Sequence, residues 1–437
     1  LNKHHEPDYD SCNNKTTDHS GWEVSVSQHG FGGLSPRFTA IAACAGVLAV
    51  LATPAAAQIS DDVVKLAITN DQSSIYSAAG GYGVVIAAQM AVEDFGGTVL
   101  GKKIEVVFAD NQNKPDVGVG IVNRWLDTDH VDVIVDGGSS AVGMAVQAVT
   151  REKNKLFLIT GSGTTALTND NCSPVGFQWS WDTYGLASGT ATTLAKQGLD
   201  SWFFITADYT FGQVLEAQAG EIAQKYGAKV LGSVRAPFNT ADFSSFLLQA
   251  KASNAKVVAL ANAGGDASTS IKQAHEFGLT RGGQKLAALF LNITDVHALG
   301  LDTAQGLVIT TSFYWDRTDA SRAFGKRFLE RAKNAPTFLQ AGAYSAVTHY
   351  LKAVKDAGTD ATGPVAAQMK KMKINDPMTE NGWIREDGRV MRDFYVVQVK
   401  TPAESKAPWD YYKIIGKVAA EDAALPLSRS TCKLVQK

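Results

Sequence analysis

The chain has 437 residues, 45% of them hydrophobic, and a formal net charge of −2. That length is enough for two domains with sizeable cores. The near-neutral charge, with no long block of like charges, argues against nucleic acid or an anionic membrane surface as a partner.

Residues 1–36 are polar, begin with leucine, and carry His4, His5, His19 and His29 without metal-site spacing. They are expected to be disordered or to be translated upstream sequence. Arg37 then opens the apolar, small-residue run Phe38–Ala57, which ends in an Ala-x-Ala pattern. This is the layout of a signal peptide (37–57) cleaved after Ala57, and it predicts export. The run is short for a bilayer and Pro54 interrupts it, which disfavours a membrane anchor. Ile41-Ala-Ala-Cys44 is a weak lipoprotein box, because too little hydrophobic sequence precedes Cys44. Of the four cysteines, Cys12 and Cys44 lie upstream of the cleavage site. Cys172 and Cys432 remain, and an oxidising compartment favours a disulfide between them over two separate buried thiols.

From Val63 onward short apolar runs alternate with amphipathic segments. Val63–Thr69, Lys103–Ala109, Val131–Asp136 and Leu156–Thr160 are predicted strands. Gly83–Phe95, Asp116–Asp127 and Ser140–Arg151 are the intervening helices. The pattern restarts with strands Trp202–Thr206, Lys229–Arg235, Val257–Ala261, Lys285–Leu291 and Gly306–Thr311. Helices Gly212–Tyr226, Phe243–Ala252 and Ser268–Phe277 alternate with them. Helices Ala320–Ala332 and Gln340–Ala357 follow, and strand Phe394–Val399 is expected to end the regular part. Two successive doubly wound units predict two α/β domains with parallel sheets.

Ligands of open α/β sheets bind at the carboxyl ends of strands. The loops there are Gly137-Gly-Ser-Ser140, Gly161-Ser-Gly-Thr-Thr165, Ala207-Asp-Tyr-Thr-Phe-Gly212 and Asn262-Ala-Gly-Gly-Asp266. No phosphate loop, dinucleotide fingerprint, nucleophile elbow or zinc-protease motif is present. The chain is therefore read as a non-enzyme needing no cofactor. Ser139 and Ser140 open a helix, whose free N–H groups and dipole favour an anion. Ser162, Thr164 and Thr165 add hydroxyls; ordinary capping is the competing explanation.

The chain resembles the periplasmic solute-binding proteins of branched-chain amino acid type ABC transporters. The resemblance spans roughly residues 61–437. It rests on Asp71…Tyr76, Gly81-Tyr-Gly, Ala91–Gly97, Val131–Ser140, Leu158–Thr165, Ala207–Gly212 and Gln340-Ala-Gly-Ala-Tyr344. Asp242–Ala250, Ala261–Asp266 and Glu404–Tyr412 resemble a subgroup from bacteria that degrade aromatic compounds. The resemblance implies a type I periplasmic binding fold, an α/β architecture of two doubly wound lobes joined by three crossovers. Lobe one would be 61–181 plus 312–391, and lobe two 182–311 plus 392–437. It also implies a monomer in the periplasm that captures a small molecule and delivers it to a membrane permease.

By resemblance, Ser139 or Ser140 and Ser162 with Thr164 would hold a ligand carboxylate. Tyr76 and Phe211 would pack on the ligand. Tyr184, Tyr209 and Asn262 complete the expected set. Amino acid binders hold the ammonium with an acid after the Lys285–Leu291 strand. Thr294 falls there, with Asp295 one residue away. A buried ammonium without a carboxylate is costly, so the expected ligand is a small organic acid. Trp179, Trp181, Tyr184, Tyr209, Phe211, Phe313, Tyr314 and Trp315 suggest an aromatic one. The alternatives are an amino acid binder of the same class and a ligand-sensing regulator on the same fold. The export signal argues against the regulator.

Overall fold

The computed structural model describes residues 59–436. The expected upstream segment and signal peptide, with Cys44 and the cleavage site at Ala57, lie outside the described residues. The first sheet is built from β1 (Val63–Asn70), α1 (Gly81–Phe95), β2 (Thr98–Val99), β3 (Lys102–Asp110), α2 (Pro115–Asp127), β4 (Val133–Asp136), α3 (Ser140–Glu152), β5 (Leu156–Ile159) and β6 (Gly176–Gln178). Its strand order is β2-β3-β1-β4-β5-β6. Only the short β2–β3 pair is antiparallel. Strands β4 and β5 are buried along their whole length, which explains why they read as unbroken apolar runs.

The second sheet begins after α4 (Thr183–Lys196). It takes β7 (Ser201–Ala207), α5 (Thr210–Lys225), β8 (Lys229–Ala236), α6 (Ser244–Ala252), β9 (Val257–Ala261), α7 (Gly264–Glu276), β10 (Lys285–Ala288), α8 (Ile293–Leu299), α9 (Leu301–Ala304) and β11 (Val308–Thr311). The chain then returns to the first sheet with α10 (Asp319–Ala332), α11 (Phe338–Ala357), α12 (Thr362–Lys371), β12 (Trp383–Ile384) and β13 (Val390–Met391). Arg327–Asp94 and Arg331–Glu93 ion pairs fix α10 to α1. Arg389 of the β12–β13 segment bridges Gln178 at the end of β6. Finally β14 (Phe394–Val399) and β15 (Tyr412–Val418) add two antiparallel strands to the second sheet, in the order β15-β14-β11-β10-β9-β7-β8.

The regular part therefore does not end at Val399. Strand β15 is mostly exposed and carries a register irregularity, so no apolar alternation announces it. Between Val396 and Val397 the pairing jumps from Gly416 to Ile414, leaving Ile415 as an extra residue. The opposite edge does the same: Trp202 faces Val230 and Phe203 faces Gly232, leaving Leu231 extra.

The chain passes between the two sheets at 179–182, 312–318 and 392–393. The first passage is tied to the β12–β13 segment, just ahead of the third, by a fully buried ion pair. Arg389 Nε donates to Asp182 Oδ2 at 2.5 Å, and both side chains are 2% exposed. The other oxygen of Asp182 caps α4 by accepting from Gly185 N at 2.7 Å. The tail after β15 runs back across the same region. Ala420 N donates to Asp393, Leu425 O accepts from Arg385, and Arg429 pairs with Glu221 of α5. Cys432 then closes the expected disulfide with Cys172, which lies between β5 and β6. Among the described residues no helix is long and apolar enough to cross a membrane.

Candidate functional site

Each sheet reverses its strand order once among its parallel strands. In the first sheet the switch lies between β1 and β4, and in the second between β7 and β9. Doubly wound sheets bind ligands at such points, beyond the carboxyl ends of the strands. A partly open cavity lies there, lined from the strand ends of both sheets. Asn70 and Asp71 line it from the end of β1, and Asp136, Gly138, Ser139 and Ser140 from the end of β4. Tyr209 and Phe211 come from the end of β7, Ala263 from β9, and Phe290 from β10. Lys, Arg and His are absent from its lining residues.

One wall is aromatic. Trp181 lies 4.9 Å from Phe290, 6.0 Å from Phe211 and 5.6 Å from Phe338, centroid to centroid. Phe211 stacks on Tyr209 at 6.0 Å. The Trp181 ring is seated directly on Gly163, where a Cβ would fall 2.1 Å from it. The indole N–H is spent on Thr160 O at 3.2 Å, so the pocket sees only the ring. Across the cavity the hydroxyls of Tyr76 and Tyr209 are hydrogen-bonded to each other, one from each side. Burial pushes the Tyr76 phenol up to about 12 and Tyr209 well above its usual value, so both stay protonated at neutral pH.

The polar wall is the opening of α3. Ser139 is its extended N-cap residue, and no side-chain cap hydrogen bond is made there. The first backbone N–H groups of a helix have no partner within it and favour an anion. Ser140 is buried, and its Oγ accepts from Thr164 N at 3.1 Å. Of the expected residues, Tyr76, Ser139, Ser140, Tyr209 and Phe211 thus line one cavity.

Five other expected residues stand elsewhere. Ser162 Oγ lies 2.9 Å from both Gly138 O and Ser139 O and ties the two loops. Thr164 Oγ1 accepts from Ala166 N and caps a short helical turn. Asn262 turns inward to Ser270 and Asp266 O. Tyr184 lies in the first turn of α4, half-buried and outside the lining. Thr294 is buried in α8 away from the cavity, and the neighbouring Asp295 carboxylate accepts from Asn292 N at 2.8 Å. Short hydroxyls and amides beside glycine loops go to fixing those loops, and sequence position alone does not separate that use from ligand contact. Of the aromatic group, Trp179 is core and donates to Ser345. Phe313 packs on Phe324, Tyr314 on Tyr412, and the Trp315 indole donates to Trp409 O.

Sequence reasoning missed Phe290 and Asp136 as lining residues. Phe290 lies in the predicted strand Lys285–Leu291, but β10 stops at Ala288 and the chain turns the ring into the pocket. Asp136, a charged residue ending an otherwise apolar strand before two glycines, carried a signal. Asp71 also lines the cavity, but its carboxylate is taken up by its own turn, accepting from Ser73 N, Ser74 N, Ser74 Oγ and Tyr76 N.

Two mostly parallel sheets with a cavity lined from both of their switch points have the architecture of a two-lobed binding protein. The comparisons make the class specific: a periplasmic binding protein family model matches residues 63–406, and the chain belongs to that family. A periplasmic binding protein of Burkholderia mallei is 47% identical, with a TM-score of 0.83 over 86% of this chain and 100% of that one. A branched-chain amino acid ABC transporter periplasmic ligand-binding protein of Burkholderia xenovorans is 37% identical, with a TM-score of 0.79 over 85% and 99%. A solute-binding protein of an ABC transporter from Rhodopseudomonas palustris, in complex with 3,4-dihydroxybenzoic acid, is 22% identical. It shares the fold with a TM-score of 0.76 over 82% and 98%. The chain is a periplasmic binding protein of the ABC transporter class, and its family and neighbours are binding proteins rather than enzymes.

Proposed function

We propose that this protein captures a small aromatic carboxylate by closure of two lobes and presents it to the permease of an ABC importer. Lobe one would be 61–181 plus 312–391 and lobe two 182–311 plus 392–437. The observation that carries the reading is the pairing of a Trp181–Phe211–Phe290 wall with the uncharged opening of α3. A flat ring fills the apolar side, and its carboxylate meets the N–H groups and the Ser139 hydroxyl. The dihydroxybenzoate complex of the R. palustris neighbour supports the same class. Export would proceed by cleavage after Ala57, and the intact mass of the secreted product should begin at Gln58.

Titration calorimetry with leucine, substituted benzoates and substituted cinnamates tests the ligand class. A benzoate or cinnamate should bind and leucine should not. Phe211 is 4% exposed within the ring cluster. Phe211→Ala should therefore weaken the aromatic ligand at least tenfold, since an aromatic contact adds about 0.5–1.5 kcal/mol beyond its buried area. Leucine binding with no response to aromatic acids would replace the reading by its competitor, an amino acid binder. One feature favours that competitor: Asp136 lines the pocket and is an acid able to meet an ammonium.

A further inference from the structure

Asp136 closes β4 in a conformation that side chains rarely adopt. Its φ is +83°, and Gly137 and Gly138 follow at +87° and +71°. Only the first of the three carries a Cβ, so the strain falls on the acid. The carboxyl is 1% exposed. One oxygen accepts from Gly138 N at 2.7 Å and the other from Thr160 Oγ1 at 3.0 Å. Gly161 lies flat against it, with no room for a Cβ, which would fall 2.3 Å from Oδ1. A carboxylate has about four acceptor positions, and these bonds use two. No ion pair to Asp136 forms among the described residues.

We propose that Asp136 engages the ligand as a carboxylic acid, sharing a proton drawn from solvent with the ligand's carboxylate. This rests on the aromatic carboxylate reading and deepens it. Asp136 and the α3 opening line the same cavity. Two carboxylates sharing one site do not both stay ionised, and the pair takes up a proton. Burial already raises the Asp136 carboxyl to about 6, with its two hydrogen bonds opposing the shift. A second negative charge beside it raises it further.

The surrounding charges do not supply another answer. Asp71 after β1 is held by donors of its own turn, and Asp110 at the end of β3 accepts from Gln72 N and Ser73 Oγ of that same turn and from Gln112 N. Arg151 and Glu152 lie at the far end of α3. Tyr76 and Tyr209 are protonated phenols. The proton comes from solvent and ends between the two carboxyl groups, so one is consumed per ligand bound.

Above about pH 6 the free protein holds Asp136 ionised, while the complex holds the pair with one proton. Affinity for an arenecarboxylate should therefore fall up to tenfold for each unit of pH rise between about pH 6.5 and 8. Calorimetry of the wild-type protein at pH 7.5, with benzoates and cinnamates in phosphate and in Tris, should show close to one proton taken up. Asp136→Asn should abolish that uptake, flatten the pH profile and bind more tightly than the parent at pH 8. Arenecarboxylate binding without proton uptake overturns this inference and leaves the ligand class standing. Binding of an amino acid that weakens as pH falls through 6 overturns both, and makes Asp136 an ionised counter-charge. Should the variant fail to fold, the wild-type proton count still decides.

Discussion

Replacing Arg389 with alanine is expected to cost the folded protein about 3–5 kcal/mol, the range for a buried charge that loses its partner. Asp182 would remain 2% exposed with one oxygen unpaired. It cannot turn to water without releasing Gly185 N and the start of α4. The loss falls where the first passage between the sheets meets the β12–β13 segment, so ligand affinity should fall with stability. The control is Arg389→Met combined with Asp182→Asn. Asparagine keeps the N-cap, and no charge is left buried. Urea denaturation should show the double variant recovering most of the loss. A single variant as stable as its parent would mean the pair is not buried as described.

The Cys172–Cys432 bridge should have an effect of similar size. It closes a loop with a sequence separation of 260. Typical bridges contribute about 2–4 kcal/mol, and the loop-entropy relation gives roughly 5–6 for a loop this long. Cys172→Ser and Cys432→Ser should each lower the unfolding free energy, and by the same amount, because either one removes the same constraint. The paired variant should add nothing further. Thiol titration of the denatured, unreduced wild type should find no free thiol from these two residues. Finding two would refute the bridge.

The fold was most legible in the sequence at short buried strands bounded by polar breaks. Val257–Ala261 and Phe394–Val399 match their strands residue for residue, because a short apolar run between polar breaks has few other uses. Helix α4 left no such trace. Thr183–Lys196 carries two glycines and four threonines, poor helix formers, and its buried residues surround most of its girth. Packing holds it helical where propensity does not. The site divides along similar lines. Tyr209 and Phe211 are large and sit at a strand end, so they could only face the cleft or the core beneath it. Ser162 and Thr164 occupy equally suggestive positions, yet their hydroxyls brace loops. Which way a hydroxyl points depends on backbone angles that no spacing encodes. The Asp136 conformation is of the same kind: Asp-Gly-Gly permits three positive φ angles in a row without demanding them.

The second sheet leaves two long strands with one side unpaired. An uncovered strand edge invites a neighbouring molecule to add its own strand and begin an aggregate. Both edges here carry the interruptions at Leu231 and Ile415, which are 50% and 40% exposed. An incoming strand would find two residues where its ladder needs one, on a backbone bent out of line. Lys229 and Arg235 flank the first interruption, Lys413 and Lys417 the second. Two exposed aliphatic side chains that look like sticky spots thus mark the places where self-association through the sheet is blocked.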